Sequence, residues 1–193
     1  MIVYLARLNF VITMWSNNTA ISKLGDTLPS AEKFAASAVL THVCGMAYCL
    51  PFYYLSFDTN LAGITFGSDL RDYCALTAYA VGTVFHFLGD YQKRAFKQNA
   101  ANDGKLLSSG VWSLTRHPNY FGDFLVYTSF AVLVYEHPLA WASPVLNLLQ
   151  YLFDAIPKNE QWAAEKYGRQ WEAYVSSTPM FVPLASFYKK HKV

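Results

Sequence analysis

The sequence predicts an all-α integral membrane helical bundle of about four to five transmembrane helices with an amphipathic C-terminal tail. Three observations carry this. Hydrophobic residues make up 53% of the 193 and charged residues only 15%, against a usual charged share of about 25%. Aromatic residues reach 17%, with 14 Tyr and 14 Phe, and Tyr and Trp are the residues that settle at membrane interfaces. The charges are also gathered into short polar segments that leave uncharged gaps between them.

Taken in order, the gaps give the elements. Met1 to Trp15 is apolar with a single Arg7. It lacks the basic start and small-residue cleavage site of a signal peptide, so it reads as a short retained membrane helix. Phe34 to Phe57 is uncharged and long enough for a hydrocarbon core of ~30 Å at ~1.5 Å per residue; Pro51 would kink it. Tyr73 to Gly89 is a second span at the short limit. Phe124 to Tyr135 and Leu139 to Phe153 are separated by Glu136-His137-Pro138, which reads as the turn of a helical hairpin. The tail from Asp154 places Trp162, Tyr167, Trp171 and Tyr174 among charges, the pattern of a helix lying on a membrane face. The whole reads as a single membrane domain, 1–193. Its parts are N-terminal helices without a motif (1–89), a cofactor-binding half (90–183) and a basic tail (184–193).

Charge placement orients the bundle. Tyr91 to Pro118 carries Lys93, Arg94, Lys97, Lys105 and Arg116 against Asp103, and the tail carries Lys158, Lys166, Arg169, Lys189, Lys190 and Lys192. The segment Asp58 to Asp72 has three Asp against Arg71. Following the spans puts both basic segments on one side, which the positive-inside rule turns toward the cytoplasm or the mitochondrial matrix. An endoplasmic reticulum, bacterial inner or mitochondrial inner membrane fits this. A net charge of +2 argues against a nucleic-acid partner. Cys44, Cys49 and Cys74 form no CxxC pair and no zinc spacing, so no metal site is expected.

Three polar segments carry the chemistry. Gln92-Lys93-Arg94-Ala95-Phe96-Lys97 places two lysines at i and i+4, on one helix face. They repel one another unless an anion lies between them. Arg116-His117-Pro118-Asn119-Tyr120-Phe121-Gly122-Asp123 follows a turn at Gly110 and starts a helix at Pro118, a tolerated first position. Its N-terminus would be a seat for phosphate or carboxylate. Asn159-Glu160 and Lys166-Tyr167-Gly168, with Trp171 and Tyr174, form the third. Glu160 is placed to meet Arg116 or His117, and Glu165 and Arg169 would make an ordinary i,i+4 pair.

Together, over Gly89 to Pro183, these segments resemble the superfamily of membrane sterol reductases and steroid 5-alpha-reductases, of the DUF1295 type. It is related to isoprenylcysteine carboxyl methyltransferases and phospholipid methyltransferases. The Gln-Lys-x-x-Phe-Lys segment, Asn119 and Asp123 match the reductase branch, which implies NADPH. By that resemblance Lys93 and Lys97 meet cofactor phosphates. Trp112, Asn119, Tyr120 and Asp123 hold the ribose and nicotinamide portions, with His117 beside them. Asn159, Glu160 and Tyr167 close the site, and Arg116 pairs with phosphate or with Glu160. The chain departs from the pattern at Asn159, where such reductases often carry Asp, and at Lys97, where Arg is frequent.

The implied activity is reduction of a C=C bond in a lipid, sterol or enone, with the lipid bilayer and a lipid-like substrate as partners. The catalytic residue stays unassigned; Tyr53, Tyr54 and His86 are the candidate proton donors. Two alternatives stand beside it. One is an S-adenosylmethionine-dependent lipid or prenylcysteine methyltransferase. The other is an enzyme-derived accessory subunit of a large membrane complex, because only about two spans precede Gly89 where reductases of this group carry several more helices.

Overall fold

The computed structural model describes residues 69–183, together with Leu50, Pro51, Tyr53 and Tyr54. All belong to the unit Cys44–Val193. The expected helix over Met1 to Trp15, most of Phe34 to Phe57, and the basic tail 184–193 lie outside the described residues.

Within them the fold is helical, with no strand. Helix α1 (Leu70–Gln98) has 29 residues and is about 44 Å long. The Asp69 side chain caps it by accepting from the Arg71 amide at 3.3 Å, and Asp72 in the first turn suits the helix dipole. The Tyr73–Gly89 segment and the lysine segment are therefore one continuous helix. Its buried residues are Asp72, Ala75, Gly82, His86 and Gly89. Their spacing of three, four or seven residues makes one stripe along the helix.

That stripe faces α2 (Pro118–Leu133), which starts on Pro118 as expected. A Cβ at Gly82 would lie 2.6 Å from the Gly122 carbonyl oxygen, and one at Gly122 would lie 2.5 Å from the Gly82 oxygen. Gly89 meets Pro118 and Asn119 instead. Rising positions on α1 thus meet falling positions on α2, so the two helices run antiparallel. Their backbones touch where no side chain could fit.

Short 3₁₀ turns at Ala100–Asn102 and Gly110–Ser113 join the two helices. After α2 the chain turns back: His137 N–H donates to Val134 O and Ala140 N–H to His137 O, both at 2.9 Å. A 3₁₀ turn (Pro138–Trp141) leads into α3 (Ala142–Gln150), a π-helical turn (Tyr151–Ala155) and α4 (Ile156–Tyr167). Gly168, at φ +48°, breaks the tail before α5 (Arg169–Ser177).

Two expectations are corrected here. None of the described helices is long and apolar enough to cross a membrane. α1 is long but carries Asp72, His86, Asp90 and the lysines, whereas α2 has 16 residues and is about 24 Å long. The stretch Leu139 to Phe153 is divided among three kinds of turn. Secondly, the tail is two helices, so Glu165 and Arg169 are not on one helix. Glu165 accepts from Gln161 Nε2 at 3.0 Å and forms no ion pair with Arg169 among the described residues. What the fold does expose is apolar surface: Leu70, Tyr73, Leu76, Val84 and Phe87 on α1, and Val145, Leu149 and Phe153 beyond the hairpin.

The backbone contact makes a clear prediction. Gly82→Ala and Gly122→Ala should each destabilise the chain by about 1–3 kcal/mol through overpacking, read as a lowered melting temperature. Gly104→Asn, at an open position with φ +69° where Asn is tolerated, should change it little. Equal melting of all three variants would show that the helices separate freely.

Candidate functional site

The site is an open cavity of about 1000 Å³ between α1, α2, α4 and the loop that follows α1. Its lysines come from distant parts of the chain. Lys93 and Lys97 stand one turn apart on α1, Lys105 on the loop, and Lys158 and Lys166 on α4. Arg116 also reaches the wall, and Asp103 is the one carboxylate residue that lines it among the described residues; Lys158 pairs with Asp154 one turn away. Burial lowers Lys93 from its ordinary ammonium range and Lys97 lowers it further, against the opposing pull of Asp90. Burial, then Lys166, lowers Lys97. The lysines of two helices thus feel one another across the cavity, a cost that a bound anion would reverse.

Aromatic side chains make the remaining wall. Trp112 is fixed at both ends: its indole Nε1–H donates to Gly89 O at 3.0 Å, and its own carbonyl accepts the Tyr174 hydroxyl. Lys93 Nζ lies 5.4 Å from the Trp112 ring centroid. Tyr120 stacks between His117 and Tyr151, at centroid distances of 5.4 and 4.3 Å. Its hydroxyl accepts from Asn159 Nδ2 at 2.7 Å, which carries the wall over to α4. Lys166 Nζ lies over the Trp162 ring at 4.9 Å. The loop is held down by Gln170 of α5, which accepts from Leu106 N–H at 3.1 Å and donates to Gly104 O at 3.3 Å.

Behind the wall, charges are paired. Arg116 is 9% exposed. Its Nε donates to Glu160 Oε1 at 2.8 Å and its Nη1 to Thr178 O at 2.9 Å, while its backbone N–H donates to Pro179 O at 2.9 Å. His117 Nε2 lies 3.2 Å from the same Glu160 oxygen. Burial alone would raise Glu160, but the bonds from His117 and Arg116 hold it below its ordinary range. Burial depresses His117 despite Glu160. Burial raises the Tyr174 phenol.

The structure therefore brings together most of the residues singled out in the sequence. Lys93, Lys97, Trp112, Arg116, His117, Asn119, Tyr120, Asn159 and Tyr167 all line the cavity. Asp123 and Glu160 do not. Asp123 turns to His86 and to the Tyr151 hydroxyl, 3.0 Å away, and Glu160 is the anchor of Arg116 and His117. At the start of α2 the backbone nitrogen of Asn119 packs against Gly89, 3.1 Å from where a Cβ would stand. Of the candidate donors, Tyr54 stacks on His137 at 4.3 Å, Tyr53 is exposed, and His86 is buried beside two carboxylates. Lys105, Lys158, Lys166 and Trp162 enter the sequence reading through charge and amphipathic placement rather than as cofactor contacts, and Gln170 does not enter it. Lys158, Trp162 and Lys166 share an i, i+4, i+8 face of α4, a spacing that could have marked them.

Residues 13–178 match the family described as "Protein of unknown function (DUF1295)", and the chain belongs to that family. A Delta(14)-sterol reductase of Ascobolus immersus is 32% identical over 143 residues, covering 66% of this chain and 31% of that protein. A Delta(14)-sterol reductase of Arabidopsis thaliana is 34% identical over 103 residues, 46% of this chain and 27% of the relative. Protein-S-isoprenylcysteine O-methyltransferase B of the same plant is 27% identical over 82 residues, 42% and 41% respectively. The chain thus spans about a third or less of the length of these sterol reductases.

The Arg116–Glu160–His117 group fixes a pH dependence. His117 sits below its ordinary 6.5 and Glu160 below its ordinary 4.5, so the folded chain binds these protons more weakly than the unfolded one. Their stabilisation is complete above 6.5. It falls as pH drops, first through His117 and then, below 4.5, through Glu160. Melting temperature should decline with acidification, and the gap between the parent chain and Glu160→Gln should close below pH 4.5. A gap independent of pH would contradict the assignment.

Proposed function

We propose that this member of the DUF1295 family is a membrane-associated, reductase-type protein that binds NADPH and serves reduction of a C=C bond in a lipid, sterol or enone. The observation that carries this is the cavity wall, where Lys93, Lys97, Lys105 and Lys166 gather with Asp103 the single carboxylate residue among the described lining residues, while Arg116 and Lys158 pair with Glu160 and Asp154. A wall of that charge suits a ligand with several phosphates. The residues fit such a nucleotide. Lys93, Lys97 and Lys166 are the phosphate contacts, and Trp112, Tyr120 and Tyr167 offer ring faces to its flat groups. Asn119 and Asn159 supply amides at the wall.

When bound, NADPH supplies hydride to an activated double bond. The chain's own part is to place the nucleotide and to handle the proton. The Tyr120 hydroxyl accepts from Asn159 and keeps its own proton to give, which makes it a proton donor placed at the wall. Stacking on Tyr151 and His117 fixes the ring. The similarity to proteins named as Delta(14)-sterol reductases supports the reaction class. The exposed apolar rows on α1 and beyond the hairpin support contact with lipid, since such patches mark interaction surfaces.

The similarity to an isoprenylcysteine methyltransferase favours a second reading, S-adenosylmethionine binding. That cofactor has no phosphate and offers the lysines a single carboxylate. Titration of NADP+ and of S-adenosylmethionine into the detergent-solubilised chain separates the two. NADP+ should bind more tightly, and Lys93→Ala and Lys97→Ala should each weaken it about tenfold. Tighter S-adenosylmethionine binding, or NADP+ affinity indifferent to both lysines, would overturn the reading.

A further inference from the structure

His86 is 6% exposed and lies between two carboxylates. Its Nε2 is 3.2 Å from Asp90 Oδ2, one turn further along α1, and its Nδ1 is 2.9 Å from Asp123 Oδ1 on α2. Each carboxylate turns its other oxygen to a donor. Asp123 Oδ2 accepts the Tyr151 hydroxyl at 3.0 Å, and Asp90 Oδ1 accepts Asn119 Nδ2 at 3.3 Å. Of these five groups Asn119 lines the cavity; Asp90, Asp123, His86 and Tyr151 stand behind it.

Counting protons decides what the imidazole must be. A neutral ring carries one N–H and one lone pair. Both nitrogens lie within ion-pair distance of a carboxylate oxygen without hydrogen-bond alignment, so a neutral ring would leave two carboxylates beside it with no opposite charge from the ring. Asp123 accepts the Tyr151 hydroxyl and Asp90 the Asn119 side-chain amide, so each carboxylate keeps its other oxygen for the ring. A ring with both nitrogens protonated is attracted to both carboxylates at these ion-pair distances, although neither nitrogen is aligned for a hydrogen bond. Among the described residues, the groups placed against it include Asp90 on its own helix, Asp123 on α2 and, through Asp123, Tyr151 of the π-helical turn. Lys93 acts on Asp90 from the cavity side.

We propose that His86 is a buried imidazolium bridging Asp90 and Asp123, and that it acts as a positioning residue for the cavity. By holding Asp90 it fixes the acceptor that orients Asn119, and by holding Asp123 it fixes the hydroxyl of Tyr151, on which Tyr120 stacks. The charge state stands on geometry alone; the positioning role rests on the nucleotide reading of the cavity.

The test uses the full chain in detergent. With ¹⁵N-labelled histidine, one of the five histidines should show both ring nitrogens protonated at neutral pH, and that signal should vanish in His86→Gln. In Asp123→Asn, should His86→Gln fail to fold, the same ring should lose one proton. A His86 signal with one bare nitrogen at neutral pH overturns the imidazolium. NADP+ titration reads the positioning role, with Kd expected to rise about threefold or more in both variants. An unchanged Kd, where the lysine variants remain weakened, overturns that role and leaves the cofactor reading intact. An absence of NADP+ binding by the parent chain overturns the cofactor reading and, with it, the positioning role.

Discussion

The contact on which the rest depends is the approach of α1 and α2 at Gly82 and Gly122. Neither position has room for a methyl group, since a Cβ on either would fall within about 2.6 Å of the other's carbonyl oxygen. That closeness fixes both the distance and the register of two antiparallel helices. His86, one turn after Gly82, is thereby set beside Asp123, one residue after Gly122. One further turn sets Asp90 beside Asn119. The same register brings Gly89 under the start of α2, where its carbonyl receives the Trp112 indole. A wider spacing would undo each of these together.

From that pair the charges separate into two populations. Those behind the wall are matched: Arg116 with Glu160 and the Thr178 carbonyl, His86 with two aspartates. Burying ions is costly unless they are paired and hydrogen-bonded, and here the pairs also tie distant segments to one another. Arg116 joins the start of α2 to α4 and to the strand-like exit after α5. Those on the wall are lysines brought from α1, the loop and α4, of which Lys158 pairs with Asp154 one turn away. The gathering of lysines on the wall is what marks the cavity as a place for something anionic.

Much of this could be read from the chain. Lysines at i and i+4 share a helix face, so Lys93 and Lys97 were bound to look the same way. A proline after Arg116-His117 starts a helix, and Pro118 does so. The residue types of the RHPNYFGD stretch, rich in groups expensive to bury, pointed to a site. Less legible was the side to which each polar group turns. Asp123 and Glu160 sit among wall residues in sequence, yet their carboxylates face partners 43 or more residues away, or a helix that arrives from elsewhere. Counting uncharged gaps also fails to see where a helix changes its hydrogen-bonding pattern, which is how Leu139 to Phe153 passed for one span. Gly168 shows the same limit: its left-handed backbone separates α4 from α5, which no count of charges reveals.

The π-helical turn Tyr151–Ala155 sits where α3 becomes α4, and such turns recur at functional sites. It amounts to one residue more than an α-helix would use over the same rise. Each residue of an α-helix adds about 100° of rotation. Everything after the turn is therefore phased by that surplus residue, including Asn159 under Tyr120 and Glu160 under Arg116. A change of side chain within these five positions leaves the phase intact, whereas loss of a single codon would swing both residues a quarter-turn or more off their partners. The length of this short stretch therefore sets the site as much as Tyr151, its first residue, does.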